Sequence, residues 1–331
     1  MYELKTRNQH NMFDISSMIQ KSLRRGIVEH ALYAAAEMAG MYRSYLWKRL
    51  FVVSAEDCND LVTGRVLSLY ERDKRTADDN AIAEAVCLLA ATRKNRDADY
   101  FACNILNSRD RRELRIADSH EATTQYHTKN GHDLYDTVEA MKSAFEDLDI
   151  EGIGYTANEI GVRYKKYLWN VLMSEYSGKC SQNLAMELNS LKKVDFGQIG
   201  EKNETPLYLA KGIVLMLKEW KGYDLTDMRN AKVETRPLDS GPRHMRVPDY
   251  VYDCHTVIGR KRGKTKRQFV VEEQASLRPF VKGMFDGCSW ERFFELCDTG
   301  FWDKENWTPP PAKEKREELE NPCRQLDLFG M

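Results

Sequence analysis

The chain has 331 residues, which is enough for one to three domains with substantial cores. Its hydrophobic content of 42% is ordinary for a globular protein. A formal net charge of −1 creates no global field that would attract nucleic acid, so any contact with DNA must come from a local basic patch. The eight cysteines include no Cys-x-x-Cys pair, which predicts reduced thiols in a cytoplasmic protein. No leader peptide is evident and no apolar run approaches about 18 residues, so we expect no membrane span.

Helical spacing of apolar residues dominates the first two thirds of the chain. Ser16-Ser17 and the stretch Thr76 to Asp79 offer helix caps, and Gly40 is a stop signal. The pattern predicts helices over 19–38, 45–57, 82–92, 100–106, 136–148, 158–176, 181–191, 207–220 and 290–296.

The character of the chain changes after residue 222, where Pro237, Gly241-Pro242 and Pro248 interrupt any regular pattern. Residues 257–265 are predicted to form a basic loop, and 268–272 a short strand or the start of a helix. The predicted organisation is a helical region over 1–118, a polar loop over 119–134, a second helical region over 135–222, a region rich in Pro, Gly and Arg over 223–302, a flexible tether over 303–324 and a terminal motif over 325–331. The predicted fold class is mostly α, a multi-helix bundle with a disordered tail.

Two weak echoes run through the sequence. The pattern Tyr42-x-x-Tyr45-Leu46-Trp47-x-x-Leu50 recurs from Tyr164 to Leu172, and His127-Thr128-x-x-Gly131 recurs from His255 to Gly259. The offsets, 122 and 128 residues, are unequal. A degenerate duplication is one interpretation, and aromatic core packing at helical spacing is the other.

Residues 21–104 resemble the helical region that follows the ATPase module in the RarA/MgsA family of replication-associated AAA+ proteins. The likeness is carried by three stretches, Lys21 to Met38, Tyr45 to Asp57 and Ala83 to Asn95. The stretch Val247 to Pro279 resembles the end of some relatives through Asp253-x-His255-Thr256-x-x-Gly259. The resemblance covers about half the chain and implies a clamp-loader-collar-like bundle that supports oligomer assembly.

The ATPase module of that family has no counterpart in the chain. The one Walker-like string, from Gly259 to Thr265, has three residues between its glycines where a P-loop needs four. We therefore predict no nucleotide cofactor and no ATP hydrolysis, and the chain is expected to act without catalysis.

The same string is better described as a basic segment. Flexible basic side chains flanked by glycine can follow DNA phosphates and release counterions, although they read no base sequence. The predicted DNA-contacting residues are Arg260, Lys261, Arg262, Lys264, Lys266 and Arg267, with Arg236, Arg243, His244 and Arg246 as an extension. The alternative is a solvated loop.

Other candidate sites are weaker. His120, His127 and His132 share a polar stretch, but their spacing does not fit a structural zinc site, so no metal is predicted. Cys254 and His255 are sequence neighbours that would point to opposite faces of an extended segment, so a role of His255 and Thr256 in capping the turn is favoured over catalysis. The carboxylate pairs Glu56-Asp57 and Asp78-Asp79 are typical of helix ends.

The last residues contain Gln325, Leu326, Asp327, Leu328 and Phe329, a string that resembles the peptide by which bacterial replication and repair proteins bind the sliding clamp. Three large apolar side chains there gain free energy by entering a partner's pockets, and Gln325 can fix the register by hydrogen bonding. The preceding residues are rich in Pro, Lys, Arg and Glu, and a tether of about 20 residues would reach roughly 25 Å.

Three hypotheses follow. The first is a non-enzymatic accessory protein of DNA replication or recombination, in the cytoplasm and on the nucleoid of a bacterial host, that binds the clamp and DNA and forms a homo-oligomer. An origin in a phage or mobile element would suit such a stand-alone collar. The second is an inhibitor of the host clamp that does not bind DNA. The third is a DNA-processing enzyme with a dispersed site.

Overall fold

The structure is a computed structural model that describes residues 4–106, 126–128, 131–161, 164–197 and 206–285. Within these ranges the chain is mostly helical, and β-structure is limited to isolated bridges, which confirms the predicted mostly α class. The helices are α1 Met12–Arg24, α2 Val28–Met38, α3 Arg43–Glu56, α4 Thr63–Thr76, α5 Asp79–Ala91, α6 Asp97–Tyr100, α7 Leu134–Glu146, α8 Ile150–Ile160, α9 Lys165–Val171, α10 Gln182–Phe196, α11 Leu207–Trp220, α12 Val257–Lys261 and α13 Lys266–Ala275. Short π-helices follow α6 and α9, over Phe101–Leu106 and Leu172–Tyr176. None of the helices described has the length and apolarity needed to cross a membrane.

Several predicted helix boundaries were wrong. The helix predicted over 19–38 is two helices, because the chain turns at Gly26, whose φ of +66° lies in the left-handed region. The expected cap Ser16-Ser17 lies inside α1, which Asn11 caps instead. The helix predicted over 158–176 is broken at Gly161. Helix α4 was missed because its sequence is mainly polar and buries only a narrow apolar stripe.

The chain divides into two compact units. Among the described residues, unit 1 comprises 4–97 and 226–285, and unit 2 comprises those between 98 and 197 and between 206 and 225. Unit 1 is therefore discontinuous in sequence, in contrast to the predicted boundaries after residues 118 and 222. The predicted helix over 290–296, the tether and the terminal motif lie outside the described residues.

Each unit contains the same helical motif, which identifies the first sequence echo as a structural repeat. Helices α1 and α2 have counterparts of equal length in α7 and α8, each beginning 122 residues later, at Leu134 and Ile150. Helices α3 and α9 keep this offset, since Arg43 and Lys165 begin them. The residues just before these two helices, Tyr42 and Tyr164, have almost the same backbone angles.

The loops repeat as closely as the helices. Before the first helix of each motif, the N–H of Thr6 donates to the carbonyl of His10 at 2.9 Å, and that of Thr128 to His132 at 2.9 Å. After that helix, Gly26 and Leu148 occupy equivalent positions with φ of +66° and +52°. A leucine adopts this strained conformation only where surrounding contacts impose it, so the loop geometry is a property of the motif.

Two buried polar contacts also recur. The hydroxyl of Thr6 donates to Glu37 at 2.6 Å, and that of Thr128 donates to Glu159 at 3.2 Å. The indole Nε1 of Trp47 donates to Asp73 at 2.7 Å, and that of Trp169 donates to Asp195 at 2.7 Å. Buried indole and carboxylate groups must be hydrogen bonded, so these pairs fix the packing of each core.

The second sequence echo is not part of the repeat. Thr128 lies in the loop before α7 and corresponds to Thr6, whereas Thr256 is the N-cap of α12.

The 226–285 segment packs on the rest of unit 1 through backbone hydrogen bonds near its two ends. The N–H of Leu61 donates to Thr226 at 3.0 Å, and that of Lys94 donates to Pro279 at 2.6 Å.

Candidate nucleic-acid interface

A buried ion pair attaches the middle of the 226–285 segment to α1. Lys21 is almost completely buried, and its Nζ lies 2.6 Å from an oxygen of Asp253. The same Nζ donates to the carbonyl of Val251 at 2.5 Å, and the hydroxyl of Ser17 donates to that carbonyl at 3.1 Å. A buried ammonium is tolerated only when its donors are satisfied, so these contacts determine where the segment crosses α1.

A larger ionic cluster lies one turn further along α1. Arg24 is 1% exposed and donates to Asp57 at 2.8 Å and to Glu273 of α13 at 2.6 Å. Arg25 also pairs with Glu273, at 3.1 Å. The ring of Phe269 lies 5.8 Å from the Arg24 guanidinium. Helix α13 is thus held on α1 by charge pairs and a cation–π contact.

Both acidic partners from the segment titrate below their ordinary range. Burial alone would raise the pKa of Asp253, but a hydrogen bond from His255 and the charge of Lys21 hold it well below its usual value. Burial would likewise raise the pKa of Glu273, but the charges of Arg24 and Arg25 lower it. For Lys21, burial outweighs the attraction of Asp253 and lowers the pKa of the ammonium. At mildly acidic pH the two carboxylates therefore remain charged in the folded chain.

We expect acid to weaken unit 1 through these carboxylates. Their folded-state pKa values lie below those of the unfolded chain, about 3.9 for Asp and 4.3 for Glu, so the unfolded chain takes up protons first. Their contribution is present at neutral pH and is lost as the pH falls from about 5 towards the lower folded-state pKa values. Urea unfolding between about pH 7 and 3 checks this, and Glu273→Gln should flatten part of the acid limb. An unchanged slope in that variant would contradict the assignment.

The turn after Asp253 is capped by Thr256, as predicted, and α12 begins there. The hydroxyl of Thr256 accepts from the N–H of Gly259 at 3.0 Å, which caps the helix. A Cβ at Gly259 would lie 1.8 Å from the carbonyl oxygen of Asp253, so only glycine fits there. The N–H of His255 donates to Asp253 at 2.9 Å and tightens the same turn.

The predicted basic loop was wrong in its conformation. Residues 257–265 form α12, a turn at Gly263 and the N-cap of α13, where Thr265 takes part in a capping box. The uncertain 268–272 stretch is accordingly helical. Helix α12 is only five residues long, which is too short for its apolar residues to show a helical period in the sequence.

The structure brings the predicted basic residues together around this turn, but to different extents. Arg260, Lys261 and Arg262 are exposed, whereas Lys264, Lys266 and Arg267 are partly buried. Lys264 pairs with Glu272 at 2.6 Å. The exposed three, named here the basic turn, are the side chains best placed to meet phosphates.

Part of the predicted extension lies near the basic turn. The guanidinium of Arg262 lies over the Tyr252 ring, 4.9 Å from its centre. Burial and the charge of Asp14 raise the pKa of that phenol, and the charges of Arg262 and Arg246 offset part of this rise. Arg246 is exposed, as are Arg236, Arg243 and His244. The patch is not purely basic, because Asp249 lies 3.3 Å from Arg262.

The expected separation of Cys254 and His255 was wrong. The Cys254 sulfur lies 3.5 Å from Nδ1 of His255, because the chain turns at these residues instead of extending. The same Nδ1 lies 3.4 Å from Asp253, and Arg260 donates to the carbonyl of His255 at 3.0 Å. These contacts all lie within the turn, so they stabilise α12.

The remaining candidates are only partly described. His120 and the clamp-like residues 325–329 lie outside the described ranges. His127 and His132 are on the loop before α7, and within the described part of the chain no cluster of His, Cys, Asp and Glu is arranged to hold a metal ion. Asp78 caps α5, in agreement with the sequence interpretation, whereas Asp57 is buried against Arg24.

Lys21 and Arg24 are the site residues that sequence reasoning did not single out. Helical spacing gives no signal for them, since both fall on the side of α1 away from Ile19 and Leu23, where charged residues usually face solvent. Charged residues on a buried face must find partners, and here these come from a distant segment.

A scan against protein-family models, a search of curated proteins and a search of solved structures each find no match for this chain.

Proposed function

We propose that this chain is a non-enzymatic accessory protein of DNA replication or recombination that binds a bacterial sliding clamp through residues 325–329 and contacts DNA through the basic turn. The observation that carries the proposal is the string Gln325-Leu326-Asp327-Leu328-Phe329. Its apolar side chains suit pockets on a partner, and each would contribute roughly 1.5–3 kcal/mol on burial before ordering costs.

The resemblance of residues 21–104 to a clamp-loader-type collar supports the same setting. The corresponding stretch contains the last turn of α1 and all of α2 to α5 of unit 1, and a helical composition is what a collar requires. No nucleotide site is needed for such a role. Positioning the chain at a clamp on DNA would let a binding or scaffolding protein act without a motor.

The basic turn supports contact with DNA. Its three side chains are exposed, and the buried Lys21–Asp253 and Arg24–Glu273 pairs hold the helices around it on unit 1. A rigid support lowers the entropy that ordered side chains lose when they bind phosphates. No feature of the turn favours one base sequence, so the contact would be to the backbone.

Clamp binding is the decisive test. The variant Leu328→Ala/Phe329→Ala should bind the purified bacterial clamp about 100-fold more weakly or worse, because two buried apolar side chains are lost. Surface plasmon resonance on immobilised clamp measures this. A matched variant in the preceding stretch, Glu317→Ala/Glu318→Ala, should bind as the wild type does. Equal binding by all three proteins would refute docking through the motif.

DNA contact is tested by a salt series. Each phosphate contact contributes about 0.9 to the slope of log K against log salt, so Arg260→Ala/Lys261→Ala/Arg262→Ala should lower the slope by roughly 2–3. The control variant Lys74→Ala/Arg75→Ala/Lys221→Ala removes three exposed cations elsewhere and should leave the slope unchanged. Absence of wild-type binding at low salt would refute DNA contact and favour a clamp inhibitor.

A further inference from the structure

The repeat makes it possible to compare one helix face in two settings. In unit 1 the face of α1 formed by Ser17, Lys21, Arg24 and Arg25, here the α1 face, is covered by the 250–278 stretch. The contacts are specific, since Lys21 and the two arginines bind carboxylates of that stretch. This face of the motif is therefore one that can receive another segment of chain.

In unit 2 the equivalent face is exposed and carries the opposite charge. The residues 122 positions later than the α1 face are Glu139, Ser143, Glu146 and Asp147, and all four are exposed. Arg24 and Arg25, which bind Glu273 in unit 1, thus correspond to the acidic residues Glu146 and Asp147 in unit 2. We call these four residues the α7 face.

The acidic side chains of the α7 face form one patch with Glu175. Burial, followed by the charges of Glu175, Glu146 and Glu139, raises the pKa of Tyr176 to about 12, which places all three carboxylates near one phenol. Lys142 lies 2.9 Å from Glu139 and 4.0 Å from Glu175 and offsets part of this charge.

An aromatic cluster lies beside the patch. The ring of Tyr176 lies 4.6 Å from that of Phe145 and 5.9 Å from that of Trp220, and Trp220 is partly exposed. A partly exposed tryptophan at the edge of a charged face is typical of interfaces, where it supplies apolar contact next to polar pairs.

We propose that the α7 face binds the basic turn of a second copy of this chain. Charge complementarity selects this occupant, because the stretch that covers the α1 face directs Asp253 and Glu273 inwards and the basic turn outwards. Within the chain, Arg262 pairs with Asp249 at 3.3 Å, and their side chains are 47% and 76% exposed. Such an exposed ion pair is weak, so Arg262 can exchange Asp249 for a carboxylate of the α7 face.

The contact joins two different surfaces and is therefore head-to-tail. Such contacts build rings or open chains of subunits in place of a closed dimer. The interaction is mainly electrostatic, so salt should weaken it strongly. DNA and the α7 face would compete for the basic turn. This contact between copies goes beyond the function proposed above and does not depend on clamp binding.

Sedimentation velocity of the full chain without DNA tests the proposal. At about 50 mM salt the wild type should shift to faster-sedimenting species between roughly 1 and 100 μM, and about 500 mM salt should abolish the shift. The variants Glu146→Lys/Asp147→Lys and Lys261→Glu/Arg262→Glu should each lower the association constant about tenfold or more. An equimolar mixture of the two should associate again, because each altered surface then meets its opposite.

A matched variant separates this contact from net charge. Glu71→Lys/Asp239→Lys alters two exposed carboxylates of unit 1, which are not part of the α7 face, by the same total charge and should associate as the wild type does. Circular dichroism verifies that all variants are folded. A wild type that stays monomeric at every concentration in low salt would overturn the proposal, and so would undiminished association of the Glu146→Lys/Asp147→Lys variant. If the α7 face instead binds a basic segment of another protein, the wild type should stay monomeric.

Discussion

Replacing Arg24 by methionine is expected to lower the free energy of unfolding of unit 1 by about 3–5 kcal/mol, which is the cost of breaking a buried charge cluster. The guanidinium is buried with Asp57 and Glu273, whose side chains are 0% and 2% exposed. Methionine fills much of the volume but leaves both carboxylates without their main donor. Removing one partner is far costlier than exchanging the whole cluster for apolar groups, because the remaining charges stay desolvated.

Urea unfolding of the full chain, together with hydrogen exchange on peptides from α1 and α13, measures the loss. Exchange should accelerate first in α13, because Glu273 loses one of its two arginine partners there. The repeat supplies a matched control, since the residue equivalent to Arg24 in unit 2 is the exposed Glu146. Glu146→Met should change stability by no more than about 0.5 kcal/mol. A loss below about 1 kcal/mol for Arg24→Met would show that the cluster does not hold α13 in place.

Removing the tryptophan of either core is expected to have an effect of similar size. Trp47 and Trp169 are 1% and 0% exposed, and each donates its indole N–H to an aspartate of the same unit. Trp47→Ala and Trp169→Ala should each cost about 3–5 kcal/mol, because a large cavity forms and a buried carboxylate loses a donor. Hydrogen exchange should show the loss of protection in the unit that carries the substitution.

The milder change Trp47→Phe separates the two causes. Phenylalanine retains most of the apolar volume but cannot donate to Asp73, so we expect a loss of about 1–3 kcal/mol. Asp73 keeps its contacts with Arg43 in this variant. If Trp47→Phe were as damaging as Trp47→Ala, the hydrogen bond rather than the ring volume would dominate. If both were neutral, the assignment of these tryptophans to the cores would fail.

Features that depend on neighbours along the chain were predictable. Helix α11 spans 207–220 as predicted, because its continuous apolar pattern and the residues after it define both ends locally. The cap at Thr256 was predicted for the same reason, since a hydroxyl three residues before a glycine N–H is a local arrangement. The predicted helices around Trp47 and Trp169 also needed only helical spacing.

The repeat was only suggested by its residues. Gly26 and Leu148 share a left-handed conformation without sharing a side chain, and Arg24 and Glu146 occupy one position with opposite charges. Backbone geometry is retained when the hydrogen bonds of a loop are retained, whereas exposed and partner-specific positions diverge. The repeat is therefore clearer from the conserved hydrogen bonds of its loops than from the identity of the residues at equivalent positions.

The amino-acid sequence by itself determined the mostly α class, the basic composition of residues 260–267 and the clamp-like string at 325–329. Periodicity, composition and short motifs are local properties, so they need no knowledge of the fold. Only the tertiary structure decided that residues 226–285 return to unit 1, that Arg24 is buried against Glu273 and that the α7 face is left exposed. The partners Arg24 and Glu273 are 249 positions apart, and no pattern within one helix specifies which distant carboxylate will neutralise a buried charge.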